Sequence, residues 1–454
     1  MSDDTIILAG GGLAGSLLAV FLAQRGLRVT VYERRPDLRR HDISAGKSIN
    51  LALADRGIAA LKAVGLFDTV RPILVPMPGR LLHAPDGALT YLAYGARPHE
   101  VNWSVSRGDL NKALLDAAEA TGRVKVFFDH RVVDADLDAG TLTVLDETTG
   151  AQRVVPANPV IATDGAGSAV REAMRKRFGV RVDDQPLAHA YKELTILPAE
   201  GGGWAMRHDA LHIWPRGTYM LIALPNPDQS FTVTLFMPRE GFDALPTPPA
   251  VMEFFSAHFA DAVPLMPTLV EDFFKNPTGS LGTVRCQPWT GGLGRAVLLG
   301  DAAHAIVPFH GQGMNAAFED CVVLDRALAT YGSDYKAAFD AFAAERKPDA
   351  EAIADMALEN YVEMRDTVRD PKFALKKRVG FVLEERHPRR FIPRYSMVMF
   401  HAEIPYSEAR RRGAVQDEIL DALTREADSP EAVDYDLADR MVTERLTVLP
   451  HVEA

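Results

Sequence analysis

Residues 300–315 read GDAAHAIVPFHGQGMN and connect a predicted strand to a predicted helix. The preceding run, AVLL at 296–299, has the length and composition of a buried parallel strand. Gly311 and Gly313 let backbone amides approach a ligand, and the start of the following helix offers unpaired N–H groups and a positive dipole end. The pattern predicts either a nucleotide site with Asp301 beside a sugar hydroxyl, or a plain turn in which Asp301 caps the helix.

A similar pattern opens the chain. A predicted strand, TIILA, is followed by GGGLAG at residues 10–15, by a helical run and by a second strand that ends at Glu33. In such a turn Gly10 gives the tight bend, Gly12 lets a pyrophosphate approach the backbone, and Gly15 lets helix and strand pack closely. Glu33 lies near the spacing of about 20 residues expected for an acid on the ribose hydroxyls. The unit predicts a dinucleotide site, and the residues of this turn are compatible with both NAD and FAD.

A third strand end carries the same chemistry. Residues 160–163 form another buried-type run, followed by Asp164 and Gly165, with Arg171 just beyond. Three such strand ends along one chain predict a single large dinucleotide laid across one sheet. Arg107 lies at a further junction between a strand and a helix, where a phosphate contact and a solvated surface arginine are equally compatible with the sequence.

The amino-acid composition is that of a globular protein and argues against several kinds of partner. The chain has 454 residues, 47% of them hydrophobic and 24% charged, as in ordinary globular proteins. Its net charge of −11 argues against nucleic acid or an anionic membrane as partner. Cys286 and Cys321 are the only cysteines, which predicts neither a disulfide framework nor a metal cluster and suits a reducing compartment. With no signal peptide and no run near the ~18 apolar residues of a membrane helix, we expect a soluble cytoplasmic protein.

The middle and the end of the chain differ in pattern from the three motifs. From about residue 186, alternating segments separated by turn residues predict an antiparallel sheet inserted into the first domain. Beyond residue 335 the pattern is mostly helical, and 394–397 interrupts it between prolines. The predicted helices of this part cover 335–345, 349–364, 372–384 and 414–422.

The three motifs, in this order and spacing, resemble those of the class A FAD-dependent aromatic hydroxylases. GGGLAG with Glu33 is similar to that family's ADP-ribose turn, ATDGAGSAVR at 162–171 to its second motif, and GDAAHAIVPFHGQGMN to its third. Thr163 departs from the alanine that is usual there. The resemblance implies a tightly held, non-covalent FAD and NADPH that visits only to reduce it. It also implies these cofactor-binding residues: Gly10, Gly12, Leu13, Ala14, Gly15, Glu33, Arg34, Ala52, Arg107, Asp164, Asp301, Gly311, Gly313, Met314 and Asn315.

With that cofactor, the expected fold is of the α/β class. It comprises a Rossmann-like FAD-binding domain, an inserted mixed or antiparallel β-sheet substrate domain and a C-terminal helical domain. The expected boundaries are 1–75, 97–180 and 285–335 for the FAD-binding domain, 76–96 and 181–284 for the substrate domain, and 336–454 for the helical domain.

Within this class, several blocks are similar to those of the bacterial kynurenine 3-monooxygenases, among them SINLALADRG, HAYKELTI, ALHIWPRG and RFIPRYSM. The similarity implies hydroxylation of L-kynurenine to 3-hydroxykynurenine with NADPH and O2 through a C4a-hydroperoxyflavin, in tryptophan degradation or pyridine nucleotide biosynthesis. It implies no acid–base residue, because the substrate ring is already activated by its amino group. The implied substrate residues are Arg80, Tyr94, Asn360 and Tyr395 around the carboxylate, and Leu211, Met220, Ile222, Leu224, Phe236, Pro308, Phe309 and His310 around the ring.

Other functions remain compatible with the sequence. A hydroxylase of the same class could act on a different aromatic amino acid or a phenolic acid. A non-catalytic flavoprotein could sense redox state or bind a partner through the helical region. The residues alone do not separate NADPH from NADH, and a homodimer through the helical region is a further expectation.

Overall fold

The structure is a computed structural model and describes residues 5–41, 50–363 and 371–450. The first two residues of the SINLALADRG block lie outside these ranges. Its strands are β1 (Thr5–Ala9), β2 (Arg28–Tyr32), β3 (Asn50–Leu53), β4 (Leu74–Met77), β5 (Gly79–His83), β6 (Leu89–Ala93), β7 (Asn102–Ser106), β8 (Val124–Phe127), β9 (His130–Asp136), β10 (Thr141–Asp146), β11 (Gln152–Pro156), β12 (Val160–Ala162), β13 (Arg181–Ile196), β14 (Ala210–Arg216), β15 (Tyr219–Pro225), β16 (Phe231–Pro238), β17 (Gly279–Gln287), β18 (Thr290–Gly291) and β19 (Ala296–Leu298).

Fifteen α-helices accompany these strands in the described ranges. They are α1 (Leu13–Gln24), α2 (Asp55–Ala63), α3 (Phe67–Val70), α4 (Arg107–Ala120), α5 (Ala169–Phe178), α6 (Arg239–Asp243), α7 (Pro248–His258), α8 (Leu269–Lys275), α9 (Asp301–His304), α10 (Gly313–Tyr331), α11 (Tyr335–Val362), α12 (Pro371–Arg386), α13 (Arg394–Phe400), α14 (Tyr406–Leu423) and α15 (Tyr435–Arg445).

The three sequence motifs meet at one edge of a six-stranded sheet with the order β18-β19-β12-β1-β2-β8. Strands β19, β12 and β1 are parallel neighbours, with Val160 paired to Ile7 on one side and to Ala296 on the other. Because parallel neighbours end at the same edge, their three loops lie side by side. The predicted α/β fold with a Rossmann-like sheet is confirmed.

A seven-stranded mixed sheet, in the order β17-β13-β16-β15-β14-β5-β6, forms the second layer. Its pairs are antiparallel except β14 with β5, which are parallel. Residues on one face, such as Leu221 and Leu235, pack with α7 and α8 in an apolar core, whereas Met220 and Phe236 face the opposite side. Strand β13 begins at Arg181, earlier than the sequence pattern predicted, and β17 runs to Gln287, past the predicted domain boundary at 284. The division into three domains stays a prediction.

Two predictions for the helical region are wrong. The segments 335–345 and 349–364 were expected as separate helices, but α11 continues through Pro348. Proline inside a helix costs about 3 kcal/mol, and here packing of α11 against α10 and α14 outweighs that cost. The expected interruption at 394–397 lies in helix α13, because Pro393 sits at the N-cap and the helix buries residues such as Met397 and Val398. None of the described helices is long and apolar enough to cross a membrane.

Candidate functional site

A cavity of about 310 Å³ lies between the motif edge of the six-stranded sheet and the inner face of the seven-stranded sheet. All twelve predicted substrate residues line it. Of the fifteen predicted cofactor residues, the nine that line it are Gly12, Leu13, Ala14, Ala52, Arg107, Asp301, Gly311, Gly313 and Met314. The other six do not line it: Gly10, Gly15, Glu33, Arg34, Asp164 and Asn315.

The three glycines of the first motif have different surroundings. A Cβ atom on Gly10, where φ is +102°, would lie 2.4 Å from the Thr163 carbonyl oxygen, and one on Gly15 would lie 2.1 Å from the Gly10 carbonyl oxygen. A Cβ atom on Gly12 would meet only Arg35 Nη2 at 3.9 Å. Gly10 and Gly15 are therefore required by the backbone, whereas Gly12 leaves open space at the start of α1, where a pyrophosphate would lie.

Glu33 holds the first turn together. Its Oε2 accepts a hydrogen bond from Gly11 N at 2.7 Å, and its Oε1 accepts from Arg35 N at 2.9 Å and Arg35 Nε at 2.8 Å. Arg34 beside it is exposed. The role of Glu33 toward a ribose stays a prediction, because both of its oxygens already accept hydrogen bonds within the protein.

Two residues fasten the third motif to its neighbours, which are the second motif and strand β3. Arg171 Nη1 donates to the Ala302 carbonyl at 2.8 Å and Nη2 donates to the Ala166 carbonyl, so the second motif is fixed to the third. Asn315 Nδ2 donates to the carbonyls of Ala52 and Gly311, each at 2.9 Å. These side chains position the cavity wall from behind.

Asp164 presents an unusual carboxylate. Its Oδ2 accepts from Ala169 N at 2.8 Å at the start of α5, while its buried Oδ1 has no partner among the described residues. Burial, only partly offset by hydrogen bonds from Ser168 and Ala169, raises the pKa of Asp164. Next to the cavity-lining Thr163 and Gly165, this free oxygen is an observation that fits a polar cofactor group.

A buried ion network holds the loop that carries Asp301. Asp320, on α10, accepts from Gly300 N at 3.0 Å, from His304 Nε2 at 2.6 Å and from Arg346 Nε at 2.8 Å. Burial opposes ionisation of Asp320, but His304 and Arg346 outweigh it and lower the pKa to about 2. The charged carboxylate therefore stabilises the loop geometry at neutral pH.

We expect Asp320→Asn to lower the free energy of unfolding by about 3 kcal/mol, because it removes a charge partner of a buried arginine. The folded pKa lies below the ordinary value of 3.8, so this stabilisation is present above that pH and disappears as the pH falls toward 2. Urea unfolding at several pH values measures both effects. Asp325→Asn, on the same helix and paired with Arg25 near the surface, is the control and should change stability by less than about 1 kcal/mol. Equal losses in the two variants would contradict the expectation.

One end of the cavity is apolar. Alternate residues of β14, β15 and β16 form a continuous wall, and Phe309 packs against Phe236 with ring centroids 5.2 Å apart. Ile213 and Thr234 also line this face and were not predicted, although the two-residue alternation of the strands could have indicated both. Thr163 and Gly165 of the second motif line the cavity as well. The remaining lining residues, which no motif indicated, are Asn50, Leu51, Met77, Asn102, Tyr191, Leu299, Ile306, Ala317 and Met399.

Another part of the cavity lining carries a cation among aromatic rings. Arg80 is buried, and its Nε has no partner in the described part of the chain. Tyr94 and Tyr395 stack 5.5 Å apart at 11°, and His310 stacks on Tyr395 at 5.4 Å and 15°. Asn102 Nδ2 donates to the Tyr395 hydroxyl at 3.2 Å. These contacts hold two phenols beside the guanidinium.

Burial sets the protonation of these groups. It raises the pKa of Tyr395 to about 12, against an opposing effect of Arg80, and it raises that of Tyr94 as well. Burial also lowers the pKa of His310 to about 4. At neutral pH this end therefore offers one fixed cation, two phenolic donors and a neutral imidazole, which suits a carboxylate.

A second chamber of about 660 Å³ continues from this end into helices α11 to α14. Arg80, Tyr94, His310, Asn360 and Tyr395 line both spaces and form the boundary between them. Asn360 is fixed there, since its Nδ2 donates to the Phe309 carbonyl at 2.6 Å. The helical region therefore completes the carboxylate end of the cavity.

One trio within the described ranges could offer ligand atoms to a metal ion: Glu100, Glu384 and His401. Arg97 Nη1 donates to a carboxylate oxygen of each glutamate, in both cases at 2.9 Å. The guanidinium already supplies positive charge to this pair. The trio is separate from the residues that line the cavity.

Comparison with known proteins identifies the family. Residues 3–357 match the model of the FAD binding domain family. The chain is 48% identical over 447 residues, 98% of its length, to the kynurenine 3-monooxygenase of Myxococcus xanthus (strain DK1622), of which it covers 96%. It is 47% identical to that of Stenotrophomonas maltophilia (strain K279a), with 99% of this chain and 98% of the relative covered. The chain belongs to the kynurenine 3-monooxygenase family.

Solved structures of other oxygenases share the fold of this chain. The tetrameric 2-methyl-3-hydroxypyridine-5-carboxylic acid oxygenase superimposes with a TM-score of 0.66 at 22% identity, covering 82% of this chain and 95% of that one. P. aeruginosa PqsL, solved with 2-aminobenzoylacetate, superimposes with a TM-score of 0.64 at 22% identity, covering 80% and 96%. At this identity the likeness shows the fold alone.

The residues present fit FAD as the cofactor of the family. The first motif leaves free space at Gly12. Arg107 and Asp301 line the cavity, and the Oδ1 atom of Asp164, next to the lining residues Thr163 and Gly165, has no partner in the described part of the chain. We assign the start of α1 to the pyrophosphate and the loop 311–315 to the flavin ring system, which would place the ring beside the apolar end of the cavity.

Proposed function

We propose that the protein hydroxylates L-kynurenine to 3-hydroxykynurenine with bound FAD, NADPH and O2. The observation that carries this proposal is one cavity lined both by the buried Arg80 and by an apolar wall, together with residues of the dinucleotide motifs. Kynurenine has the matching form, a carboxylate joined through a short chain to an aromatic ring. The names of the close relatives support the same substrate.

Arg80 binds the substrate carboxylate in this proposal. A charge-assisted bond from a guanidinium is strong where water is excluded, and Arg80 is 7% exposed with Nε free of partners in the described structure. Tyr94 and Tyr395 remain protonated at neutral pH and donate to the same carboxylate. Asn360, placed by its bond to Phe309, completes this end.

The ring end orients and shields the aromatic ring. Leu211, Ile222 and Phe236 exclude water from the space beside the flavin position. When bound and reduced, FAD supplies the activation of O2 that no side chain provides. The ring carbon next to the amino group is already electron-rich, so we assign no acid or base residue. Burial lowers the pKa of His310 to about 4, so at neutral pH its imidazole is neutral and no imidazolium acts as an acid there.

We expect kynurenine to accelerate NADPH oxidation at least tenfold, because an enzyme in which NADPH only visits must avoid wasting it when no substrate is bound. The loop 308–315 contacts both the ring pocket and the proposed flavin position and can couple the two events. Stopped-flow reduction under anaerobic conditions, with and without kynurenine, measures this effect, and mass analysis of the aerobic product identifies 3-hydroxykynurenine. Equal reduction rates would reject the coupling, and absence of the product would reject the substrate.

The rival functions predict other results. A hydroxylase for another aromatic acid would show its largest rate increase with that acid, and a non-catalytic redox sensor would show no oxygenated product. NADH tested beside NADPH decides between the two nicotinamide cofactors. A cytoplasmic location and a homodimer stay predictions from the sequence.

A further inference from the structure

The apolar wall of the cavity contains one hydroxyl group without a hydrogen-bond partner. Thr234 lines the cavity and is 0% exposed, and its Oγ1 finds no partner among the described residues. It lies on β16 between two paired residues, Ile222 on β15 and the buried Glu193 on β13, and Phe236 follows two residues later. A buried hydroxyl left unpaired costs about 1 to 3 kcal/mol. Such a group in a binding cavity indicates that a ligand supplies the missing partner.

Thr232, on the same strand, has the hydrogen-bond partners that Thr234 lacks. Thr232 lies two residues before Thr234, so both side chains are on the same face of the sheet. Thr232 Oγ1 donates to Asn50 Oδ1 at 3.2 Å and accepts from Asn226 Nδ2 at 3.1 Å. The protein thus provides hydrogen-bond partners for the Thr232 hydroxyl, whereas the Thr234 hydroxyl lines the cavity without one among the described residues.

The position of Thr234 matches the ring end of the substrate. Arg80 lies on β5, and β14 and β15 separate β5 from β16 in the sheet. Three strand spacings amount to about 14 Å. The Arg80 side chain bridges part of this distance, and an aromatic amino acid held by its carboxylate bridges the rest. The strand register sets Thr234 level with Leu82, two residues beyond Arg80, so it is also displaced along the strands. With the carboxylate at Arg80, the group placed toward Thr234 is one on the aromatic ring.

We infer that Thr234 is a specificity-determining residue whose Oγ1 accepts a hydrogen bond from the ring amino group of the substrate. The inference rests on the proposed function and deepens it. A ring amine is the polar donor of kynurenine at the aromatic end, and a threonine hydroxyl can accept its N–H. The bond also favours donation of nitrogen electron density into the ring, which is the activation that hydroxylation beside the amine requires. Phenyl analogues without the amine leave Thr234 unpaired and bind less tightly.

The test compares two buried hydroxyl groups. Thr283, on β17 of the same sheet, is 1% exposed and also has an Oγ1 without a partner in the described structure, but it does not line the cavity. Thr234→Val and Thr283→Val keep the side-chain shape and remove one hydroxyl each. Dissociation constants of the holoenzyme for kynurenine and for 3-benzoylalanine, which lacks the ring amine, are measured from the change in flavin absorbance.

We expect Thr234→Val to reduce the preference for kynurenine over 3-benzoylalanine about tenfold, through weaker binding of kynurenine alone. Thr283→Val should keep the preference of the unmodified protein, and Thr234→Ser should restore it. An unchanged preference in Thr234→Val would overturn the inference, as would an equal loss in Thr283→Val. If Thr234→Val does not fold, Thr234→Ser against Thr234→Ala gives the same comparison. Product analysis of the unmodified protein with kynurenine tests the proposed function separately.

Discussion

Replacing Gly12 by valine is expected to yield a folded protein without flavin. The site of the new Cβ is open, with Arg35 Nη2 as its nearest neighbour at 3.9 Å, so the substitution does not disturb the protein itself. The larger side chain fills the space at the start of α1 that a pyrophosphate needs. Flavin absorbance after purification should fall below about one tenth of the unmodified level, and NADPH-dependent activity should fall with it.

Two further glycine variants separate loss of cofactor from loss of fold. Gly167 lies in the second motif but does not line the cavity, and a Cβ at this exposed position would meet nothing within 4 Å, so Gly167→Val should retain flavin. Gly15→Val should fail to fold, since its Cβ would lie 2.1 Å from a backbone oxygen. Circular dichroism and thermal unfolding report the fold of each variant. Full flavin content in Gly12→Val would show that the pyrophosphate lies elsewhere.

Arg80→Met should raise the KM for kynurenine by a factor of about 30 or more, because loss of a desolvated charge partner costs roughly 2 to 5 kcal/mol of binding. Methionine fills similar space without a charge. Flavin content should not change, since Arg80 is on β5, outside the three dinucleotide motifs. Steady-state kinetics with the purified holoenzyme measures the effect.

The decarboxylated amine of kynurenine is the matched substrate for this variant. It keeps the ring and lacks the carboxylate, so Arg80→Met should lose the preference for the acid over the amine. Arg175→Met, at an exposed pair with Glu172, is the control and should leave both KM values unchanged. If Arg80→Met kept the preference for kynurenine over the amine, the substrate carboxylate would have to bind elsewhere, nearer Asn360 and Tyr395.

The local parts of the site could be predicted from sequence because their geometry depends on neighbours in the chain. Gly15 requires glycine for a local reason, because its Cβ would meet the Gly10 carbonyl oxygen, whereas the contact of a Gly10 Cβ with the Thr163 carbonyl oxygen forms only in the folded protein. Thr234 could not be singled out in the same way, since its missing partner is visible only when the sheets and helices are assembled. Asn102 was missed for a related reason, because its bond to Tyr395 joins residues 293 positions apart.

The wrong predictions also have a tertiary cause. Pro348 and Pro393 both disfavour a continuing helix in an isolated segment. In the folded protein, α11 continues past Pro348 because it is packed on two sides, and Pro393 instead precedes a new helix. The ribose role of Glu33 stays a prediction, and the structure adds that Gly11 and Arg35 donate to its carboxylate.

The seven-stranded sheet separates the two tasks of substrate recognition along its width. In the proposed function, β5, Tyr94 just after β6 and the helical region hold the amino-acid end, while β14 to β16 form the wall for the ring. Substitutions on the middle strands can therefore alter which ring is accepted without touching the residues that hold the carboxylate. During evolution, substitutions on β14 to β16 can therefore create a new specificity for the aromatic ring, while the residues that recognise the amino-acid group are inherited unchanged.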